Sequence, residues 1–379
     1  MNHLMFILGV FLNKQEYMAI YQNHFSHEKY RPDIDGLRAI AVLAVVSFHT
    51  FPNLMKGGFI GVDVFFVISG YLISTIILED LDKNAFNFLN FYARRIRRIF
   101  PTLILVLISC FAFGWFVLLP SEFEQLGKHI ASSATFVSNL ILWKESGYFD
   151  TPSDIKPLLH LWSLGIEEQF YIVWPLLLWI TYKKRFNLLS IGLLVALISF
   201  YLNIYKVKTD IVAAFYLPQT RFWELMIGSL LAWGTLYNPV FSTKPIFHDE
   251  RENDSKTLVS IISVFALLLL IFGFCYIDKN IGFPGKWALI PVFSTFLLIY
   301  VGSKAWVNSI ILSNKVVVWF GLISFPLYLW HWPLLSFARI LEDEVPTCNI
   351  RIAAILLSIT LAWLTYLPNA NQFSVFTRQ

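Results

Sequence analysis

The chain has 379 residues, of which 57% are hydrophobic, 17% aromatic and only 14% charged. A soluble domain carries about 25% charged residues, and no soluble core absorbs this much apolar surface along almost the whole length, so a water-soluble globule is excluded. The net charge of +4 comes from basic residues gathered at segment ends, a mark of membrane topology rather than of nucleic-acid binding.

In chain order, Leu4 to Leu12 is apolar but too short to cross a bilayer, which takes about 20 residues. It lacks a charged n-region and a small-residue cleavage site, so it does not read as a signal peptide. Residues 1–29 are expected to be a leader, with one membrane domain over 30–367. Apolar runs follow at 37–52, 58–78, 99–119, 159–180, 187–205, 213–235, 258–277, 287–302, 316–338 and 350–367. A weaker stretch, 121–143, holds Ser132, Ser133, Thr135, Ser138 and Asn139. It fits a span inside a bundle, a re-entrant segment or a surface helix. Together these runs predict an all-α fold, a polytopic transmembrane helical bundle of roughly 10–11 spans. The polar loop 236–257 is the long connection. Cys110, Cys275 and Cys348 lie far apart with no CxxC and no metal-ligand spacing, so they read as packing residues and no metal site is expected.

Orientation follows from the basic residues. Lys83, Arg94, Arg95, Arg97 and Arg98 follow the second run, whereas the first hairpin loop holds only Lys56. The N-terminus and the 79–98 loop are therefore expected in the cytoplasm. Which side the C-terminus takes depends on whether 121–143 crosses.

Ionisable residues inside apolar runs are costly and usually face a cavity or the bundle interior. Arg38 and His49 are eleven residues apart, within about 20° of one helical face and roughly 16 Å along the axis. A neutral imidazole there suits general-base work. It also suits a structural histidine bonded to a carbonyl, with Arg38 as a snorkelling anchor. Asp63 lies across a short hairpin from His49, placed to orient the imidazole or to cap a helix start. Gly61 and Gly70 read as positions of close helix packing. In the run Phe91 to Pro101, Arg94, Arg95, Arg97 and Arg98 are read as one helical face, with Ile96 and Ile99 opposite. Such a face binds anionic lipid or clamps the phosphates of a nucleotide-bearing donor.

His160 and Glu167 are seven residues apart, nearly on one face, with Glu168 rotated by about 100°. Arg221 and Glu224 have the i,i+3 spacing of an intrahelical ion pair. His331 lies deep in a run beside Pro333, open to ligand contact or to a satisfied core role.

These motifs resemble the acyltransferase-3 family of bacterial membrane O-acyltransferases, the type that acetylates O-antigen (a lipopolysaccharide component) and other surface polysaccharides. The resemblance rests on Arg-Pro-Asp-Ile-Asp-Gly-Leu-Arg-Ala-Ile-Ala at 31–41, Phe-Phe-Val-Ile-Ser-Gly-Tyr at 65–71, and His-Leu-Trp-Ser-Leu-Gly-Ile-Glu-Glu-Gln-Phe-Tyr at 160–171. It continues in Arg-Phe-Trp-Glu at 221–224 and Leu-Tyr-Leu-Trp-His-Trp-Pro at 327–333. The family's Arg-x10-His motif falls on Arg38 and His49, and its RxxR signature on Arg94/Arg97 and Arg95/Arg98. The resemblance implies a multi-pass protein of the bacterial inner (plasma) membrane with no bound cofactor. It also implies an acyl-CoA donor, usually acetyl-CoA, on the cytoplasmic side and a surface polysaccharide or lipid-linked sugar as acceptor on the other. On this reading His49, with Arg38 and Asp63, is catalytic, and Arg94, Arg95, Arg97 and Arg98 hold the donor. Ser69, His160, Glu167, Glu168, Arg221, Glu224 and His331 are candidate substrate or oxyanion contacts.

Members with the fullest match usually continue into an SGNH hydrolase-like domain. Here Leu361 to Tyr366 fits their junction and Leu367 to Asn371 does not, so an aberrant tail over 368–379 and a separate SGNH-type partner are expected. Two rival readings are a transporter or flippase of lipid-linked sugars and an inactive remnant. A transporter often shows inverted repeats, and none is apparent in the sequence.

Overall fold

The structure, a computed structural model, describes residues 30–146, 152–238, 252–278 and 281–367, with 252–255 by backbone alone. Fourteen α-helices carry the described residues, and no strand occurs among them. The expected leader 1–29 and tail 368–379 lie outside this range, as does most of the 236–257 loop.

Helix α1 spans Pro32–Thr50, with proline in its first turn where no donor is lost. A 3-10 turn, Gly58–Ile60, leads into α2, Gly61–Asp82. Helix α3, Phe88–Val117, starts at Asn87, whose side chain accepts from the Asn90 amide. Then come α4, Pro120–Ala134, and α5, Ser138–Glu145. Helices α6, Trp162–Lys183, and α7, Leu188–Thr209, follow. The short α8, Ile211–Tyr216, precedes α9, Pro218–Tyr237. Helix α10 is Glu252–Tyr276 and α11 is Leu289–Val301. The last three are α12, Lys315–Leu322, α13, Ser324–Glu342, and α14, Cys348–Tyr366.

Each apolar run read from the sequence overlaps a helix. Among the described residues, five helical stretches are long and apolar enough to cross a membrane, or six if α12 and α13, bent by 66°, count as one broken span. Helices α1, α6 and α9 have 19, 22 and 20 residues, enough length to span, but carry buried ionisable groups. The chain is a multi-pass membrane protein. The stretch 121–143 is not one straight span. It is split into helices of 15 and 8 residues, with Phe136 at φ 56° in the break, and neither piece reaches the ~20 residues a crossing needs.

Burial ranks the helices. In the apolar window of Gly58–Asp82, 78% of residues are buried, against 11% for Cys348–Tyr366, so α2 is the central post and α14 lies on the rim. Backbone contact between α2 and α9 is close. A Cβ on Gly70 would sit 1.9 Å from the Leu225 carbonyl oxygen, and one on Gly228 2.0 Å from that of Val67. Only glycine permits this approach, and it places Arg221 against Asp63.

Candidate functional site

Helices α1, α2, α3, α6 and α13 enclose a cavity of about 120 Å³. Arg38 enters it from α1, Ser69 from α2, Arg94, Arg95 and Arg98 from α3, Ser163, Glu167 and Tyr171 from α6, and Tyr328 from α13. Four arginines thus face one lining carboxylate. Carboxylates outside the lining pair with Arg38, through Asp35 at 3.0 Å, Arg94, through Asp80 at 3.2 Å, and Arg95, through Glu168 at 2.8 Å. The Arg95 guanidinium also lies 3.9 Å from the centroid of the Tyr171 ring. Ser69 donates to Glu167 at 2.6 Å.

The four arginines do not share one face. Arg97 is exposed and does not line the cavity, while Ile99, read as opposite, is buried and does. At 100° per residue, Arg94, Arg95 and Arg98 fall within one third of a turn, with Ile99 beside Arg95 and Arg97 outside.

His49 stands on the far end of α1 from Arg38, beside a second group of polar side chains. Its Nδ1 lies 2.9 Å from Nε2 of His331, with the rings stacked, and Trp332 packs edge-on at 4.5 Å. His160 lies 5.6 Å from His331, ring to ring, and neither of its nitrogens has a hydrogen-bond partner. Helix α6 begins only at Trp162, so His160 belongs to the preceding 3-10 turn, Leu159–Leu161. The turn runs directly into α6, and His160 stands beside Tyr328 at 5.3 Å, ring to ring. Among the described residues, no group of three His, Cys, Asp or Glu is arranged to hold a metal ion.

Two residues not singled out from the sequence join the cavity to the histidines. The Tyr328 hydroxyl is 2.7 Å from Ser163 Oγ and donates to the His160 carbonyl at 2.8 Å. The Tyr328 carbonyl in turn accepts from His331 Nδ1 at 2.7 Å. Both lie inside the quoted motifs at 160–171 and 327–333, but neither type is ionised near neutral pH, so charge reasoning passed over them.

Asp63 does not orient His49. It accepts from Arg221 at 3.1 Å, and both are fully buried, while His49 is bonded to His331. Arg221 also pairs with Glu224 at 3.2 Å and is ringed by Phe66, Trp162, Phe215 and Phe283. It does not line the cavity, so an oxyanion contact from Arg221 is not what the geometry offers. The trio ties α2 to α9.

Outside the spans, Glu145 meets Lys128 at 2.7 Å, His129 at 2.8 Å and Lys156 at 3.5 Å. Burial pushes the Glu145 carboxyl up, but hydrogen bonds from Lys128 and His129 and the charge of Lys156 outweigh it and bring it down to about 2. Burial pushes the His129 imidazole down, against the pull of Glu145. Lys156 also accepts through its carbonyl from Trp332 Nε1 at 2.8 Å, which connects this cluster to the wall of His49.

A family model described as an acyltransferase domain matches residues 31–367. The chain belongs to the acyltransferase-3 family. It is 31% identical to the peptidoglycan O-acetyltransferase OatA of Listeria monocytogenes, over 89% of this chain and 55% of that protein. A putative O-acetyltransferase of Staphylococcus aureus, SAS0844, is 35% identical over 89% of this chain and 56% of its own length. The putative peptidoglycan O-acetyltransferase YrhL of Bacillus subtilis is 33% identical over 84% of this chain and 50% of its own. The chain spans about half the length of these relatives. No solved structure matches it. Within this acyltransferase-3 chain, the Tyr328 and Ser163 bridge joins the arginine cavity to the histidine group.

Proposed function

We propose that the protein transfers an acyl group, most simply acetyl, from a cytoplasmic acyl-CoA to a hydroxyl of a cell-wall polysaccharide across the membrane. The observation that carries this reading is the cavity in which Arg38 meets Arg94, Arg95 and Arg98 against one lining carboxylate. Guanidinium groups gathered at one cavity suit a polyanionic donor. A volume of about 120 Å³ suits the acyl and thioester end, not a nucleotide. The phosphates then lie toward the surface, where Arg97 is exposed. The excess of basic residues in the 79–98 segment supports a cytoplasmic opening.

His49 is the general base. His49 lies outside the cavity lining, so the acyl end advances past Tyr328 toward the histidines; there His49 takes the proton of the acceptor hydroxyl, the oxygen attacks the thioester carbonyl, and the thiolate leaves with that proton. Ser69 and Tyr328, which line the cavity, are placed to hydrogen-bond the donor. The names of the Listeria and Bacillus relatives favour peptidoglycan over lipopolysaccharide as acceptor.

The test is thiol release from acetyl-CoA by membranes carrying the wild type, His49→Ala, or Arg94→Ala with Arg98→Ala, with peptidoglycan fragments on either face. The expected result is release by wild type, a fall of roughly 10²–10⁴-fold for His49→Ala, and a raised KM for acetyl-CoA in the arginine variant. Equal rates for wild type and both variants at equal expression would sink the proposal.

A further inference from the structure

Three hydrogen bonds in series decide which nitrogen of His49 carries its proton. The carbonyl oxygens of Tyr328 and Leu327 lie 2.7 Å and 3.2 Å from His331 Nδ1. Carbonyl oxygens only accept, so His331 Nδ1 bears hydrogen, and in the neutral ring Nε2 is then a bare acceptor. His49 Nδ1 lies 2.9 Å from that Nε2 and must donate to it. The neutral His49 ring is left with an unprotonated Nε2.

We infer that His331 is a positioning residue that locks His49 in the Nδ1–H tautomer, so that Nε2 is the atom that takes the proton of the acceptor hydroxyl. The tautomer of a histidine is set by the bond its other nitrogen makes, and a base in the wrong tautomer cannot accept at the reacting atom. His331 is wholly buried and stacks its ring on that of His49, so the pair has one relative orientation. When His49 Nε2 takes the proton, the imidazolium keeps Nδ1–H on His331, and no donor is left facing a donor. The same proton leaves from Nε2 to the departing thiolate as the thioester C–S bond breaks and the ester C–O bond forms. His331 also senses the donor cavity, because the residue whose carbonyl fixes it, Tyr328, lines that cavity with its side chain.

This rests on the reading of His49 as the base, and two readouts separate the failure of one from the failure of the other. The first is the ring-nitrogen NMR spectrum of the full chain, with ¹⁵N-labelled histidine, in lipid bilayers near pH 8. His49 is assigned by its loss in His49→Gln. Protonated Nδ1 and bare Nε2 at both His49 and His331 are expected, with loss of the Nδ1–H form of His49 in His331→Leu. A wild-type His49 protonated at Nε2 would overturn the inference.

The second readout is acetyl-CoA turnover at equal folded amount. His331→Leu is expected to lose roughly 10²–10⁴-fold in kcat with little change in KM. His331→Gln, whose amide oxygen can accept from Nδ1, is expected to exceed it by about tenfold or more, whereas His331→Lys, a donor only, falls with Leu. Equal loss in Gln, Leu and Lys would overturn the positioning role. Full turnover by His49→Ala, with the NMR result as expected, would instead remove the catalytic reading and leave the tautomer assignment standing.

Discussion

Arg221 is wholly buried between Asp63 and Glu224, with two acids to one base. Removing one partner strands a charge away from water, a loss of about 3–5 kcal/mol for a buried pair. Arg221→Met should therefore lower thermal stability in detergent sharply. Combining it with Asp63→Asn and Glu224→Gln should recover much of the loss, because no net charge then stays buried. A triple variant no more stable than Arg221→Met would show that the trio does more than balance charge. By contrast, Arg95 is held by Glu168 and Tyr171 at the cavity wall. Glu168→Gln should therefore alter donor binding more than folding, which a KM for acetyl-CoA set beside a melting curve would reveal.

Helices meet here through glycine where side chains have no room. A Cβ on Gly228 would lie 2.0 Å from the Val67 carbonyl oxygen, an atom of backbone that cannot move aside alone. Gly228→Leu should part α2 from α9 and abolish folded protein, read by monodisperse yield on gel filtration. Gly127, inside α4, has nothing within 4 Å of its would-be Cβ. Gly127→Ala should be tolerated and stabilise by about 0.5–1 kcal/mol through helix propensity. If both variants behave alike, the close approach of α2 and α9 is not the deciding contact. Helices α4 and α5 are pinned together through Glu145. Below pH 4.5 the unfolded carboxyl takes up a proton that the folded one, at about 2, resists; His129, pushed below 6.5 by burial, acts with the same sign. The cluster's contribution should thus be intact near neutral pH and decline from about pH 6.5 toward 2, measured as amide exchange in 138–145 and 152–158. Exchange that slows on acidification would contradict this.

For the molecule as a whole, the basic 79–98 segment and the sparse first hairpin are expected on opposite faces of the membrane. Lys56 and Lys83 are both exposed. In a cysteine-free background, Lys83→Cys should be labelled by an impermeant reagent only from the cytoplasm, and Lys56→Cys only from outside. The opposite pattern would reverse the proposed path of the acyl group, and labelling of both from one side would contradict the opposite placement of the two loops. The two sites along that path are separated on α1 by the eleven-residue step from Arg38 to His49, roughly 16 Å of helix. The Tyr328 and Ser163 bridge is the physical continuity between them.

Composition alone determined that this chain lives in a membrane as a helical bundle, because 57% hydrophobic residues in long runs leave no other way to satisfy the backbone. The order of the motifs along the chain pointed to the family, and helical periodicity put Arg38 and His49 on one face. Partners across helices were not legible, since periodicity fixes a face but not what packs against it. So Asp63, adjacent to His49 along the hairpin, turned out to belong to Arg221 from α9. His331, 282 positions from His49, proved its hydrogen-bond partner. The fate of Arg97 likewise depended on how its helix is rotated against its neighbours. Such rotations are set by tertiary contacts such as the glycine crossing of α2 and α9, which overrule local spacing because close-packed backbones admit only one rotation.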